Sequence, residues 1–423
     1  MTEERKTTHF IQNGWDKDSF LVFDDKSIEN DFFKNLTPSF LHRYVHLWSH
    51  DDLKRLILTH TDSDGYGSGA LLYKAWRTPD YENVTLYNIN YDFNFEQIKD
   101  KIASADIIFI SDLSLNQEQI SYIEDNAGGI VVWIDHHISS LKIEIKDHTK
   151  FYSFIHAEIG VSAACLVWIF LRFMTAIQTW LYGGELDDTK TTKENFTVQN
   201  VIRCNVLDNY EIKTDKNGER YILVPNIIKM ISLYDTFDDG MDLRFIYGYS
   251  SYNANINSDE GKRFWNILLG DIAGIGYERT EIEHNLLKEL IGRGEIIKQY
   301  VDSDYARIRK GQLYKFEVDI VSDGKHHVRT IAAMNANGFS MLFGGVIEEV
   351  DAVIRYYQQS DGKWNYGIYS SKSRPTSLNC EPFAVHFGGG GHRHAAGWIS
   401  ATNEPWALYK TYTAQKRPVI IHL

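Results

Sequence analysis

The sequence predicts an α/β fold: a doubly wound parallel sheet in an N-terminal domain, then a helical connector and a smaller α/β C-terminal domain. Three observations carry this. Short apolar runs at Leu56 to Leu58, Ile107 to Ile110 and Ile130 to Ile134, with a more polar run at Val84 to Ile89, alternate with stretches of helical spacing. The helical stretches are Gly69 to Trp76, Phe95 to Ile102 and Gln117 to Ile123. Beyond Gln312 the pattern becomes one of alternating strands, at Phe316 to Val321, Ala352 to Tyr357 and Trp364 to Ser370, with a turn signal at Ser360-Asp361-Gly362.

In a parallel sheet the right-handed crossovers place all carboxyl ends of the strands on one edge, where ligands bind. The connector is predicted from apolar residues at helical spacing between Asn255 and Val301, for example Ile282, Leu286 and Leu290. The boundaries expected are 1–250 for the first domain, 251–310 for the connector and 311–423 for the second domain. The polar, turn-rich stretch Gly183 to Asn217 reads as an insertion.

At 423 residues no disulfide or structural metal is needed for a core. Cys165, Cys204 and Cys380 lie far apart without a Cys-x-x-Cys spacing, which argues against a zinc site and fits a reducing cytoplasm. The N-terminus mixes charges and leads into no apolar run, unlike a secretory signal, so a cytoplasmic protein is expected. Ala163 to Tyr182 has the length of a membrane span, but Arg172 at its centre makes a buried helix the better reading. A net charge of -13 disfavours wrapping of long nucleic acid and leaves room for a local basic pocket.

The acidic and imidazole side chains fall at the strand ends. The first strand runs into Thr59-His60-Thr61-Asp62-Ser63-Asp64-Gly65, the third into Ser111-Asp112, and the fourth into Asp135-His136-His137. Such charge on one sheet edge is costly unless cations neutralise it, and mixed oxygen and imidazole donors suit manganese, iron, cobalt or zinc more than calcium. Singly, each residue has a plainer reading: Asp112 as a helix cap, His60 as a supporting group, His136-His137 as a surface pair like His326-His327. Their joint occurrence at successive strand ends points to a divalent-metal centre.

The segments THTDSDGYGSG, ISDLS, IDHHIS, SLYDTFDD (Ser232 to Asp239) and FGGGGHRHAAGW (Phe387 to Trp398) resemble, in order, the motifs of the DHH phosphoesterase superfamily. The last resembles the branch of RecJ-type exonucleases, oligoribonucleases and cyclic-dinucleotide phosphodiesterases. The resemblance spans roughly residues 55 to 400 and implies an active site in the cleft between the two domains. It implies His60 and Asp62 as ligands of one metal, Asp64, His136 and Asp235 as ligands of another, and Asp112 as the bridge. Manganese is the expected ion, with magnesium, cobalt or iron as substitutes. His60 departs from relatives that put three residues before the first Asp, since only Thr61 intervenes here. Asp235 taken alone reads as readily as a helix-start cap, and Asp238 and Asp239 stand nearby as substitutes.

The resemblance also implies that His137 faces the substrate phosphate, that Asp135 orients His136, and that Gly389, Gly390, Gly391 and His392 grip the substrate. Lys372 stands where relatives carry an arginine, with Arg374 and Arg393 as replacements, because lysine lacks bidentate phosphate recognition. The implied activity is metal-dependent hydrolysis of a phosphoester in a nucleotide or short single-stranded oligonucleotide, with no membrane role and with a homodimer compatible. The competing readings are a 5′ exonuclease on single-stranded DNA, an inorganic pyrophosphatase, and a non-catalytic scaffold of the same fold.

Overall fold

The computed structural model describes residues 52–76, 83–91, 93–157, 161–182, 219–236, 240–269, 280–322, 324–338 and 340–423, with shorter stretches at 8–10, 19–24, 212–214 and parts of 37–47, and residue 238. Two compact units divide it, Met1–Glu295 and Ile296–Leu423.

In the first unit, β1 (Thr8–Phe10) and β2 (Ser19–Asp24) belong to a small antiparallel sheet. The main sheet follows: β3 (Arg55–Thr59), α1 (Ser63–Ala75), β4 (Val84–Asn88), α2 (Lys99–Ser104), β5 (Ile107–Ser111), α3 (Gln117–Asn126), β6 (Ile130–Asp135) and β7 (Phe151–Ile155). Its order is β4-β3-β5-β6-β7 and every pairing is parallel. All residues of β3, β5 and β6 are buried, the condition that makes their sequences unbroken apolar runs. The more polar run is the edge strand β4, only partly buried.

Alternate residues of one strand enter different cores. Ile57, Phe109 and Val132 pack with α1 and α4 (Ala163–Tyr182), while Leu58, Ile110 and Trp133 pack with Ile102 of α2 and Ile120 of α3. The described part of α4 up to Met174 is buried, Arg172 included, and among the described residues no helix is long and apolar enough to cross a membrane.

After α4, β8 (Ile212–Thr214) and β9 (Glu219–Val224) complete the small sheet in the order β1-β2-β9-β8. The expected insertion, apart from Ile212–Thr214, lies outside the described residues. Then come α5 (Asn226–Asp235), α6 (Leu243–Tyr249), α7 (Asp259–Leu269) and the long α8 (Glu281–Gln312). The second unit holds β10 (Tyr314–Ser322), β11 (Lys325–Asn335), α9 (Val346–Glu349), β12 (Ala352–Gln358), β13 (Trp364–Tyr369), α10 (Cys380–His386), β14 (Gly390–His392), β15 (Ala395–Ser400), α11 (Glu404–Gln415) and β16 (Val419–His422). Seven strands form one mixed sheet in the order β14-β15-β13-β12-β11-β10-β16.

Candidate metal centre

The order β4-β3-β5 puts the topological switch point between β3 and β5, where successive crossovers leave in opposite directions and open a crevice at the carboxyl edge. The candidate residues gather there. Asp62 caps α1, its Oδ1 accepting from the Gly65 amide at 2.9 Å, and its Oδ2 lies 2.9 Å from His60 Nδ1. A side chain at position 65 would put its Cβ 2.2 Å from the His60 carbonyl oxygen, so glycine is what lets the turn fold this tightly. Asp112 follows β5 with φ of 54°, a left-handed conformation that turns it out of the strand and that a residue other than glycine holds at some energetic cost.

Asp112 joins two groups. Its carboxylate gathers with His60 and Asp62, and its Oδ1 lies 3.4 Å from His136 Nε2. That imidazole in turn lies 3.2 Å from Asp235 Oδ2 and 3.9 Å from Asp64 Oδ2. The ligand sets implied by the sequence therefore come together in one cluster. Asp235 closes α5 instead of starting a helix, a place where the helix dipole disfavours a carboxylate.

Asp64 is fully buried and accepts from the amides of Ala163 at 2.8 Å and Ala164 at 3.0 Å, at the start of α4. Burial and the charge of Asp62 still push its carboxyl up to about 6. Burial, then the charges of neighbouring carboxylates, raise Asp112 and Asp235 well above the usual range. Asp62 goes the other way: partial burial opposes ionisation, but the hydrogen bond to His60 and the imidazole charge hold it well below the ordinary value.

Asp135 differs from expectation. Its Oδ1 accepts from the His137 ring at 2.7 Å and from the His136 backbone amide at 2.9 Å, while Ser140 Oγ donates to Oδ2. The ring it orients is thus His137, because the strand ends at Asp135 and the next two side chains diverge. Despite burial, the nearby imidazoles and Ser140 keep Asp135 ionised, and Asp135 pushes His137 up to about 9 although burial works against that charge.

Residues 54–192 match the model described as "DHH family, N-terminal domain". This part of the chain is a DHH family domain. A curated relative, the 3′,5′-cyclic-nucleotide phosphodiesterase of Helicobacter pylori, is 24% identical over 371 residues, covering 80% of this chain and 91% of its own length. The solved DHH domain of a member of a ribosomal protein family shares the fold, with a TM-score of 0.50, 12% identity, and coverage of 93% of this chain and 92% of that one. RecJ of Thermus thermophilus, solved with Mn2+, aligns at a TM-score of 0.42 and 12% identity over 92% of this chain. This chain spans 56% of that RecJ.

The donors of this cluster fit divalent cations. Asp112 Oδ2 is buried and makes no hydrogen bond among the described residues, and Asp64, Asp112 and Asp235 are pushed toward protonation by burial and then by neighbouring carboxylate charge, that of Asp62 included. Cations in the cluster would relieve both conditions.

In the second unit the glycine-rich segment leaves α10 and forms the edge strand β14 against β15. A Cβ at Gly389 would meet the Gly397 carbonyl oxygen at 2.0 Å, and Gly391 has φ of 142°, so this close hairpin requires glycine. Of the cations considered there, Arg374 is tied up: its Nε donates to Asp351 Oδ1 at 3.0 Å and its Nη1 to the Glu348 carbonyl at 3.3 Å. Lys372 is half-buried and Arg393 exposed.

Asp238 stands three residues beyond the end of α5, its Oδ1 accepting from Gly240 N at 2.8 Å, and Asp239 lies outside the described residues. Sequence reasoning missed Ser140, which reaches back to Asp135 from the turn after β6, and the α4 amides, whose approach to Asp64 brings together segments distant in sequence. It also missed β7, whose end places His156 on the same sheet edge, although its apolar Phe151–Ile155 pattern was a readable signal.

Proposed function

We propose that this protein is a two-metal phosphoesterase that hydrolyses a phosphoester bond in a nucleotide or short oligonucleotide. The observation that carries the reading is the position of Asp112, shared between the His60–Asp62 group and the Asp64–His136–Asp235 group. One metal would be held by His60, Asp62 and Asp112, the other by Asp64, Asp112, His136 and Asp235. The mixed donors favour manganese, with magnesium, cobalt or iron able to substitute. Two divalent ions, when bound, supply a water of lowered pKa and neutralise charge on the phosphoryl oxygens.

The chain's own groups do the rest. Asp135 accepts from His137 Nδ1 and favours the charged form of the ring, which would donate a hydrogen bond to a phosphate oxygen of the substrate. His136, held between carboxylates, acts as a ligand. His392 and the amides of Gly389, Gly390 and Gly391 are assigned to gripping the substrate, with Lys372 and Arg393 supplying charge.

The Helicobacter pylori relative's name supports phosphodiester chemistry. An acidic net charge of -13 supports short substrates over long strands. The test is a manganese-supplemented assay of cyclic dinucleotides, dinucleotides, long single strands, 3′-phosphoadenosine 5′-phosphate and pyrophosphate, alongside metal analysis. Two ions per chain with turnover of short nucleotides is expected. A steady rise of kcat/KM toward long strands would favour the exonuclease reading. No bound metal after supplementation would leave the scaffold.

A further inference from the structure

The edge strand β4 supplies none of the clustered donors among the described residues, yet its carboxyl end holds the turn that carries His60. The Ile89 amide donates to the Thr59 carbonyl at 2.8 Å, and Asn88 Nδ2 donates to Thr59 Oγ1 at 2.7 Å and to the His60 carbonyl at 3.3 Å. Thr61 Oγ1 donates to Asn90 Oδ1. The chain then sets the Tyr91 ring against the His60 imidazole, with centroids 4.8 Å apart and planes inclined by 35°. The Tyr91 backbone is itself anchored, its carbonyl accepting from Gln119 Nε2 in the first turn of α3 at 3.2 Å.

His60 needs outside support more than the other candidate ligands do. His136 is buried, lies between Asp112 and Asp235, and has its backbone amide held by Asp135. Asp64 is buried and accepts from two amides of α4. His60 stands partly exposed on a turn, and among the described residues its side chain makes one hydrogen bond, between Nδ1 and Asp62 Oδ2. Asp62 is assigned to the same ion, so that contact lies within the ligand set and is no separate brace. An imidazole without an outside partner keeps rotamer freedom that binding must remove, and a flat ring seated on it removes that freedom beforehand. Tyr91 reaches His60 through its ring and not its hydroxyl. The tyrosine remains 46% exposed, so filling the core does not account for its place.

We propose that Tyr91 is a positioning residue whose ring fixes the His60 imidazole and thereby sets the metal affinity of the site formed by His60, Asp62 and Asp112. The inference rests on the two-metal reading above and deepens it: the two sites differ in what holds their histidine, and one of them is tuned from an edge strand.

The test is manganese binding to the full chain, followed by equilibrium dialysis and by the paramagnetic resonance signal of the unbound ion. Wild type should take up two ions. Tyr91→Ala should weaken one of them by at least roughly tenfold, the size typical of a group that orients a ligand, and leave the other unchanged. Tyr91→Phe keeps the ring and should bind both as wild type does. A tyrosine that acts through His60 has nothing to act on once that ring is gone, so Tyr91→Ala added to His60→Ala should lower affinity no further. An unchanged isotherm in Tyr91→Ala, equal losses at both sites, a loss in Tyr91→Phe, or a further loss in the double variant overturns the assignment. Two ions in wild type with any of these results defeats this proposal alone, whereas fewer than two ions in wild type defeats the two-metal reading and this proposal together.

Discussion

His137 Nδ1 sits 2.7 Å from Asp135 Oδ1, and the neighbouring imidazole of His136 points instead toward Asp112 and Asp235. Two adjacent histidines thus face different partners. The backbone leaving β6 sends one ring into the carboxylate cluster and holds the other beside it.

This division predicts different failures. His136→Ala should lose metal affinity by at least roughly tenfold, whereas His137→Ala should keep its metals and lose about two to three orders of magnitude in kcat. Equilibrium dialysis with manganese, paired with steady-state kinetics, separates the two. Normal occupancy in His136→Ala would refute the assignment.

Asp112→Ala should abolish hydrolysis and lower metal content while the fold survives, since the residue lies in a turn after β5 and not in the apolar core. Circular dichroism, metal analysis and turnover are the readouts. More than a few per cent of activity with two metals still bound would sink the bridging role.

His392→Ala should reduce kcat/KM on nucleotides by about two to three orders of magnitude and leave metal content unchanged. A small activated phosphodiester without a base should lose much less, because it makes no use of that grip. An equal loss on both substrates would instead place His392 at the chemical step.

Asp351 offers a stability test away from the metals. Burial opposes its charge, but Thr376, the Thr330 amide at 2.8 Å and Arg374 hold its carboxyl below the usual value. A group whose pKa is depressed on folding stabilises the native state above its unfolded pKa, and that contribution is lost as pH falls through the folded value. Asp351→Asn should therefore cost about 1–3 kcal/mol at neutral pH, and the deficit should shrink below the ordinary carboxylate range. Urea midpoints at neutral and acid pH measure it; a deficit independent of pH would show that the charge is not involved.

The sequence by itself determined the parallel sheet and the edge at which its ligating residues emerge. Strands buried on both faces must be apolar throughout, so β3, β5 and β6 were legible, and polar residues ending each run had to lie at their carboxyl ends. It could not give the small antiparallel sheet β1-β2-β9-β8, whose strands come from opposite sides of the main sheet in sequence. Nor could it say which ring Asp135 holds, that the α4 amides reach Asp64, or that Arg374 is taken up by Asp351. The first depends on how the backbone turns as it leaves β6, the other two on contacts between residues distant in sequence, and no local pattern encodes them. Periodicity fixes what a segment buries. Only packing in three dimensions decides what its polar ends meet.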